Sequence, residues 1–514
     1  MTSAQIQHLI AMIIYMGAII GIGLYFAKRS NKNAEAYFLG GRSLGPWVSA
    51  FSAEASDMSG WLLMGLPGLA YWSGLADAGW TAIGLFIGTY FNWLIVSKKL
   101  RRYSAKVDAI TLPGFFSKRF KEKNKIILTI SSLFITIFFM VYVGQCLASC
   151  GKLFMNLFGL DYHVMMIISA VFVLFYTFLG GFLAESASDF MQAIVMVVSL
   201  VAILIIAVVN AGGLGVVIEN AKNLDGFLSL TKEPIIPEVG VPGLDGAKGI
   251  SFLSILSALA WGLGYFGMPQ VLLRFMGIRN EKELTRSRRV ATVWLFIAMG
   301  VAVFIGVVGR SIPGIEYAKD TQAEGIFIDV ATKFLPPILA GLACAGILAA
   351  SISSSDSYLL ISTSAIAENI YHGIFKKDAS DKQVMWASRI AMAVITIIAM
   401  VIAWDSESTI FGITSFAWAG FGATFGPLML FSLFWKRTNK IGAIAGMVSG
   451  AVGVFFWELM HSLIENSAFW GIYSLLPAFI ISCIAIVVGS LLSKAPEEEI
   501  INEFNEVKTV KGGI

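Results

Sequence analysis

Thirteen apolar stretches, nearly all long enough to cross a bilayer, leave this chain of 514 residues few options. They run near 6–27, 45–73, 78–97, 126–156, 162–183, 188–211, 249–276, 289–311, 326–368, 386–404, 409–435, 441–464 and 468–493. A helix needs about 20 apolar residues to span the hydrocarbon layer. Lipid offers no hydrogen bonds, so each stretch must satisfy its own peptide groups by winding into helix. Only 14% of the residues are charged and 57% are hydrophobic, too little charge for a water-facing surface. The expectation is an all-α, polytopic membrane protein of about 13 transmembrane helices with no separate soluble domain. The first stretch lacks a basic start and a small-residue cleavage site, so it reads as a span and not as a signal peptide.

Charge gives the orientation. Basic residues gather at 28–29, 98–106, 118–125, 274–289, 376–377 and 436–437, on alternate turns of the count. The positive-inside rule makes those loops cytoplasmic. The opposite loops carry Asp161, Glu219, Asp225, Glu233, Glu238, Glu316, Asp320, Asp405 and Glu407. Thirteen crossings then put the N-terminus outside and the acidic tail 496–514 inside, in a plasma membrane of bacterial type. The tail reads as a solvated segment without a function. Cys146, Cys150, Cys344 and Cys483 all lie in apolar stretches and read as small hydrophobes, not as disulfides or a metal cluster.

Two stretches are wrong for continuous helix. The first carries Ser52-Ala53-Glu54-Ala55-Ser56-Asp57-Met58-Ser59-Gly60-Trp61 and more glycines up to Gly68. The second carries Ser257-Ala258-Leu259-Ala260-Trp261-Gly262-Leu263-Gly264-Tyr265-Phe266-Gly267-Met268-Pro269. Small residues, hydroxyls and a carboxylate gain nothing at membrane depth unless the helix breaks there. A break frees carbonyls and amides, which must then face protein or a water-filled cavity. Broken helices near the midplane are where secondary transporters hold solute and ion, and five-helix halves of opposite topology each begin with one. The bland alternative is that the glycines only allow close helix packing.

A third polar stretch is Ser351-Ile352-Ser353-Ser354-Ser355-Asp356-Ser357. A row of hydroxyls on one helix face, near freed carbonyls, suits a hard cation that binds oxygen. The alternative is that these serines bond back to their own helix. Asp189 opens the sixth stretch, where it is either solvated at the interface or turned inward toward Asp356.

These strings resemble the sodium/solute symporter family, and within it the branch that carries proline. The matching segments are Gly40-Gly41-Arg42-Ser43-Leu44-Gly45-Pro46, the run from Ala55 to Gly68, Trp261 to Gly267, and Ala417 to Pro427. The resemblance implies the inverted-repeat, LeuT-like transporter fold. It divides the chain into an extra helix and loop at 1–44, a first repeat at 45–211, an extracellular loop at 212–247, a second repeat at 248–435, two more helices at 436–495, and the tail. It implies import of L-proline together with Na+ and no enzymatic activity. Sodium would be held by the carbonyls of Ala55, Met58 and Ala350 and the hydroxyls of Ser353 and Ser354, with Asp57 as the essential carboxylate. Proline contacts carry over to Ser59, Gly60, Tyr142, Trp261, Tyr265 and Pro269, with Met268 beside them. Arg42 matches an arginine important for coupling. Asp189, Asp356 and Ser357 make a candidate second cation site.

The chain departs from the family pattern at four positions, and Asp356 is unusual as well. Glu54 replaces a small residue, Ser354 stands where the family has Thr, and Met268 and Gln270 flank Pro269 in place of Gln and His. These leave other small organic solutes (an amino acid, a sugar, a carboxylate) as the alternative cargo.

Proline is a zwitterion with a compact apolar ring. No Lys or Arg lies at either break, so the free amides of the half-helix after Ser59 are the expected partners of its carboxylate. Trp261, Tyr265 and Tyr142 offer walls for the ring and for its charged nitrogen. Two other classes fit less well. An intramembrane aspartyl enzyme using Asp57 and Asp189 lacks the glycine-aspartate signature of such proteases. A transport-like sensor would need a signalling domain after the last helix.

Overall fold

All thirteen stretches are helical in a computed structural model, which describes residues 1–30, 34–236, 245–464 and 467–509. Among the described residues nine helices are long and apolar enough to cross a membrane, and the bent pair Phe252–Gly267 and Pro269–Gly277 makes a tenth span. The shorter apolar helices Tyr162–Phe178 and Leu475–Leu491 and the interrupted second stretch bring the number to thirteen. Pro237, Glu238 and Pro242, expected in the extracellular loop, lie outside the described residues, as do 510–514 of the tail.

Local chemistry sets the helix ends. Pro46, Pro269 and Pro337 each open a helix, where a missing N–H costs nothing. Asp161, Thr409 and Asn439 cap theirs by accepting from Val164, Gly412 and Gly442 amides. Between spans, lipid supplies no hydrophobic drive, so close packing does the holding. Gly88 shows how close. A Cβ there would lie 2.1 Å from the Gly262 carbonyl oxygen, so the third and seventh spans touch backbone to backbone.

Three boundaries differ from the sequence reading. The fifth and sixth spans are separated at Gly181, whose φ of 69° and ψ of 174° only glycine adopts readily. Glu185 and Asp189 therefore lie inside the sixth helix, and Asp189 is fully buried, not interfacial. The ninth stretch is two helices, Ile326–Phe334 and Pro337–Ser364, because Pro336 and Pro337 stop the first and start the second. Arg274 belongs to the buried half-helix Pro269–Gly277, not to the basic loop after it.

The tail is also ordered. Glu498–Thr509 is a helix that buries Ile500, Phe504 and Val507 against the basic-loop face. In water each such side chain is worth about 1.5–3 kcal/mol. The Phe504 ring lies 5.2 Å from the buried guanidinium of Arg119, which Tyr103 and Phe120 also flank. Lys121 pairs with Glu503 at 3.4 Å and with Glu499, and Lys106 pairs with Glu506 at 3.0 Å. Arg102 donates to the Val507 carbonyl at 3.1 Å while its Nε contacts Glu281 at 2.7 Å, joining the tail to the third and eighth spans' loops.

Candidate functional site

Both breaks are present. The first half-helix, Pro46–Asp57, ends at Met58, whose φ of −91° and ψ of 73° leave helical space. Winding resumes as a wide turn over Trp61–Gly65 before Leu66–Ser73. The second half-helix tightens into a narrow turn over Ala260–Gly267, passes through an extended Met268 (φ −75°, ψ 109°), and restarts at Pro269 bent by 42°.

Side chains from neighbouring spans satisfy the freed peptide groups. Trp418 Nε1 donates to the Trp261 carbonyl at 2.7 Å, and Asn92 Nδ2 donates to the Tyr265 carbonyl at 2.9 Å. At the first break Ser59 Oγ donates to Gln145 Oε1 at 2.7 Å. Gly60 is so close to Ser149 that a Cβ would fall 2.4 Å from its hydroxyl.

The serine helix meets the first break. Ser353 Oγ lies 2.9 Å from the Ala55 carbonyl oxygen and 3.1 Å from that of Ala350. Ser354 Oγ lies 3.4 Å from the Ala55 oxygen. Four of the expected sodium ligands, Ala55, Ala350, Ser353 and Ser354, thus converge on one point, and Met58 lies at the break beside them. Carbonyl and hydroxyl oxygens with no formal charge in the cluster suit a monovalent cation.

Asp57 Oδ1 accepts from Gln270 Nε2 at 2.9 Å, so the carboxylate of one break is held by an amide just past the other. Among the described residues its Oδ2 has no hydrogen-bond partner, nor do the buried Tyr142 Oη, Tyr265 Oη, Trp61 Nε1 and Ser351 Oγ. An orphaned buried polar atom is costly in a folded protein unless a ligand uses it. Glu54 is buried on the same turn, with Trp93 Nε1 at 3.4 Å from Oε1 and, among the described residues, no partner for Oε2. Aromatic walls surround this region: Trp261 lies 6.1 Å from Trp61 and Trp418, Tyr265 5.1 Å from Trp418, and Tyr142 4.9 Å from Tyr358. On the side of the acidic loops, a cavity of about 420 Å³ reaches down to Trp261, which is stacked on Tyr473 at 4.9 Å.

Asp189 and Ser357 come together, but around a charge the sequence reading missed. Arg274 Nη2 lies 3.1 Å from Asp189 Oδ2 and 2.9 Å from Ser357 Oγ, and also bonds Glu185. Ser52 Oγ donates to Asp189 at 2.7 Å. Asp356 is buried nearby with no partner for Oδ1 among the described residues. Arg42 bridges two distant segments on the basic-loop side, donating to the carbonyls of Ala109 at 2.7 Å and Met276 at 2.9 Å.

The chain resembles known transporters in sequence and in fold. The sequence pattern described as "Sodium:solute symporter family" matches residues 37–450. Sodium/proline symporters of Staphylococcus aureus, strains USA300 and NCTC 8325, are 39% identical over 512 residues, covering 99% of this chain and 97% of theirs. Among solved structures, a Na+-coupled sialic acid symporter superposes with a TM-score of 0.73 at 19% identity, covering 96% of this chain and 99% of that one. Mhp1, a nucleobase-cation-symport-1 family transporter, superposes with a TM-score of 0.56 at 13% identity, covering 93% and 100%. These two likenesses show the shared fold.

Proposed function

The chain belongs to the sodium:solute symporter family, and from that premise we propose that it imports L-proline with one Na+ by alternating access. The observation that carries this reading is the convergence of the Ala55 and Ala350 carbonyls with the Ser353 and Ser354 hydroxyls where the first break meets the serine helix. Sodium at that point would join a broken helix to its neighbour. Helices that must separate when the pathway turns inward would be held together while the ion is bound.

The solute pocket lies between the breaks. Amides after Ser59 would face the proline carboxylate, with Gly60 allowing the approach. Trp261, Tyr265 and Tyr142 would wall the ring, and Met268 and Pro269 would close its inner side. Sodium that orders the first break would raise affinity for proline, and proline would raise affinity for sodium by the same factor. Arg274 already supplies positive charge at Asp189 and Ser357, so a single sodium is the proposed stoichiometry and a second ion at Asp356 is not required. Asp356, whose Oδ1 has no partner among the described residues, is the carboxylate that a second ion would use.

The energy suffices. One charge crossing 100 mV yields about 2.3 kcal/mol, and a tenfold sodium gradient adds about 1.4 kcal/mol. Together they support about 500-fold accumulation. The test is uptake of labelled proline into proteoliposomes with and without an imposed sodium gradient, with other amino acids and sugars as competitors. Uptake that ignores the gradient, or that a different solute abolishes at far lower concentration than proline, would overturn the reading.

A further inference from the structure

We propose that a cleft on the basic-loop face binds the headgroup of an anionic phospholipid. The cleft lies between the starts of the helices Ile126–Phe158 and Lys440–Leu463 and has a volume of about 710 Å³. The proposal asks nothing of the transported solute. It uses the orientation above only to assign the cytoplasmic leaflet.

Lys123, Lys440 and Lys494 line the cleft, and among the described residues no carboxylate pairs with any of them. Lys121 lines it too, but its charge is shared with Glu499 and Glu503. The acidic groups nearby do not cancel the rest. Glu122 is turned to the helix end, accepting from the amides of Ile127 at 2.7 Å and Leu128 at 3.4 Å. Glu122 keeps its charge there, so the lining sets Glu122 and Glu497 against four lysines, three of them unpaired among the described residues.

The other wall is apolar. Ile126 and Ile441 are 45% and 48% exposed at the first turns of two spanning helices, and Ile444 lies one turn deeper. Cations at headgroup level above exposed isoleucines at acyl-chain level match the two ends of one phospholipid. Basic pockets between spanning helices on the cytoplasmic side are where acidic headgroups dock. Inorganic phosphate could answer the lysines but would leave the isoleucines bare. Pro496 and Ile500 complete the wall, so a lipid seated here touches the start of the terminal helix.

The test uses the purified full-length chain in mixed micelles, with lipid retention read by native mass spectrometry. Phosphatidylglycerol and phosphatidylcholine of equal chain length are compared. The unaltered protein should retain phosphatidylglycerol in preference. Each lysine charge near a headgroup is worth about fivefold in affinity, so Lys123→Gln, Lys440→Gln and Lys494→Gln together should weaken retention by about 100-fold. Arginine at all three positions should keep it, which separates lost charge from lost fold. Lys376→Gln with Lys377→Gln, on the same face but away from the cleft, should change nothing. Equal retention of the two lipids, an unaffected glutamine variant, or an equal loss in the 376/377 pair would each overturn the site. Displacement of the lipid by millimolar inorganic phosphate would show a free-anion site and overturn the lipid assignment.

Discussion

Gly60 offers the sharpest test of the first break. A Cβ there would lie 2.4 Å from Ser149 Oγ, 2.6 Å from Ser149 Cβ and 3.0 Å from Ser351 Oγ. Carbon atoms in contact want about 3.5–4.0 Å. Gly60 has φ −52° and ψ −19°, which alanine adopts freely, so crowding is the whole of the effect. Ser149 cannot easily yield, because its hydroxyl bonds the Gln145 carbonyl at 3.0 Å and accepts from Gln145 Nε2 at 2.9 Å. Overpacking of this kind costs about 1–3 kcal/mol. If displacing the break relieves it, Gly60→Ala raises the KM for proline by about five- to 150-fold. Initial rates of sodium-driven uptake in proteoliposomes measure this. Adding Ser149→Gly removes the two nearest atoms and should recover most of the loss, leaving only the Ser351 contact. A wild-type KM in the single variant, or a double variant no better than the single, would refute the reasoning.

Other outcomes follow from the same geometry. Asp57→Asn should raise the sodium needed for half-maximal uptake by well over tenfold, since a full charge near a cation is worth about 4 kcal/mol at ~4 Å and an effective dielectric of about 20; unchanged sodium dependence would take Asp57 out of the ion site. Trp261→Ala should weaken proline binding by about tenfold, the loss of an aromatic wall and its cation contact, with sodium binding less affected; calorimetry of both ligands separates the two. Lys152 and Glu324 form a buried pair at 2.9 Å that ties the fourth span to the segment before the ninth. Lys152→Met strands a buried carboxylate at about 3–5 kcal/mol, so the thermal midpoint in detergent should fall, and adding Glu324→Gln should restore much of it.

The spans and both breaks were legible because lipid makes local rules binding. A stretch rich in leucine has to wind, and one carrying Asp57 with four small neighbours has to stop winding. The serine row was legible for the same reason. What the sequence hid were partners. Gln145 and Gln270 are ordinary amides until folding brings one to Ser59 and the other to Asp57. Arg274 looked like the first residue of a basic loop, because position in the sequence cannot say whether a residue one turn from a loop points out or in. The terminal helix does leave a trace in the sequence. Ile500, Phe504 and Val507 fall on one face at helical spacing, within a segment whose charge suggested only solvation.

The guanidinium shared by Glu185 and Asp189 has a consequence for the half of the cycle in which nothing is carried. An importer must turn back empty, and bare carboxylates deep in the protein would make that crossing steep. Arginine cannot shed its proton, and a side chain cannot diffuse away. The captive ion rides with its helix, so on the reading proposed above part of the buried negative charge is offset while the protein resets unloaded.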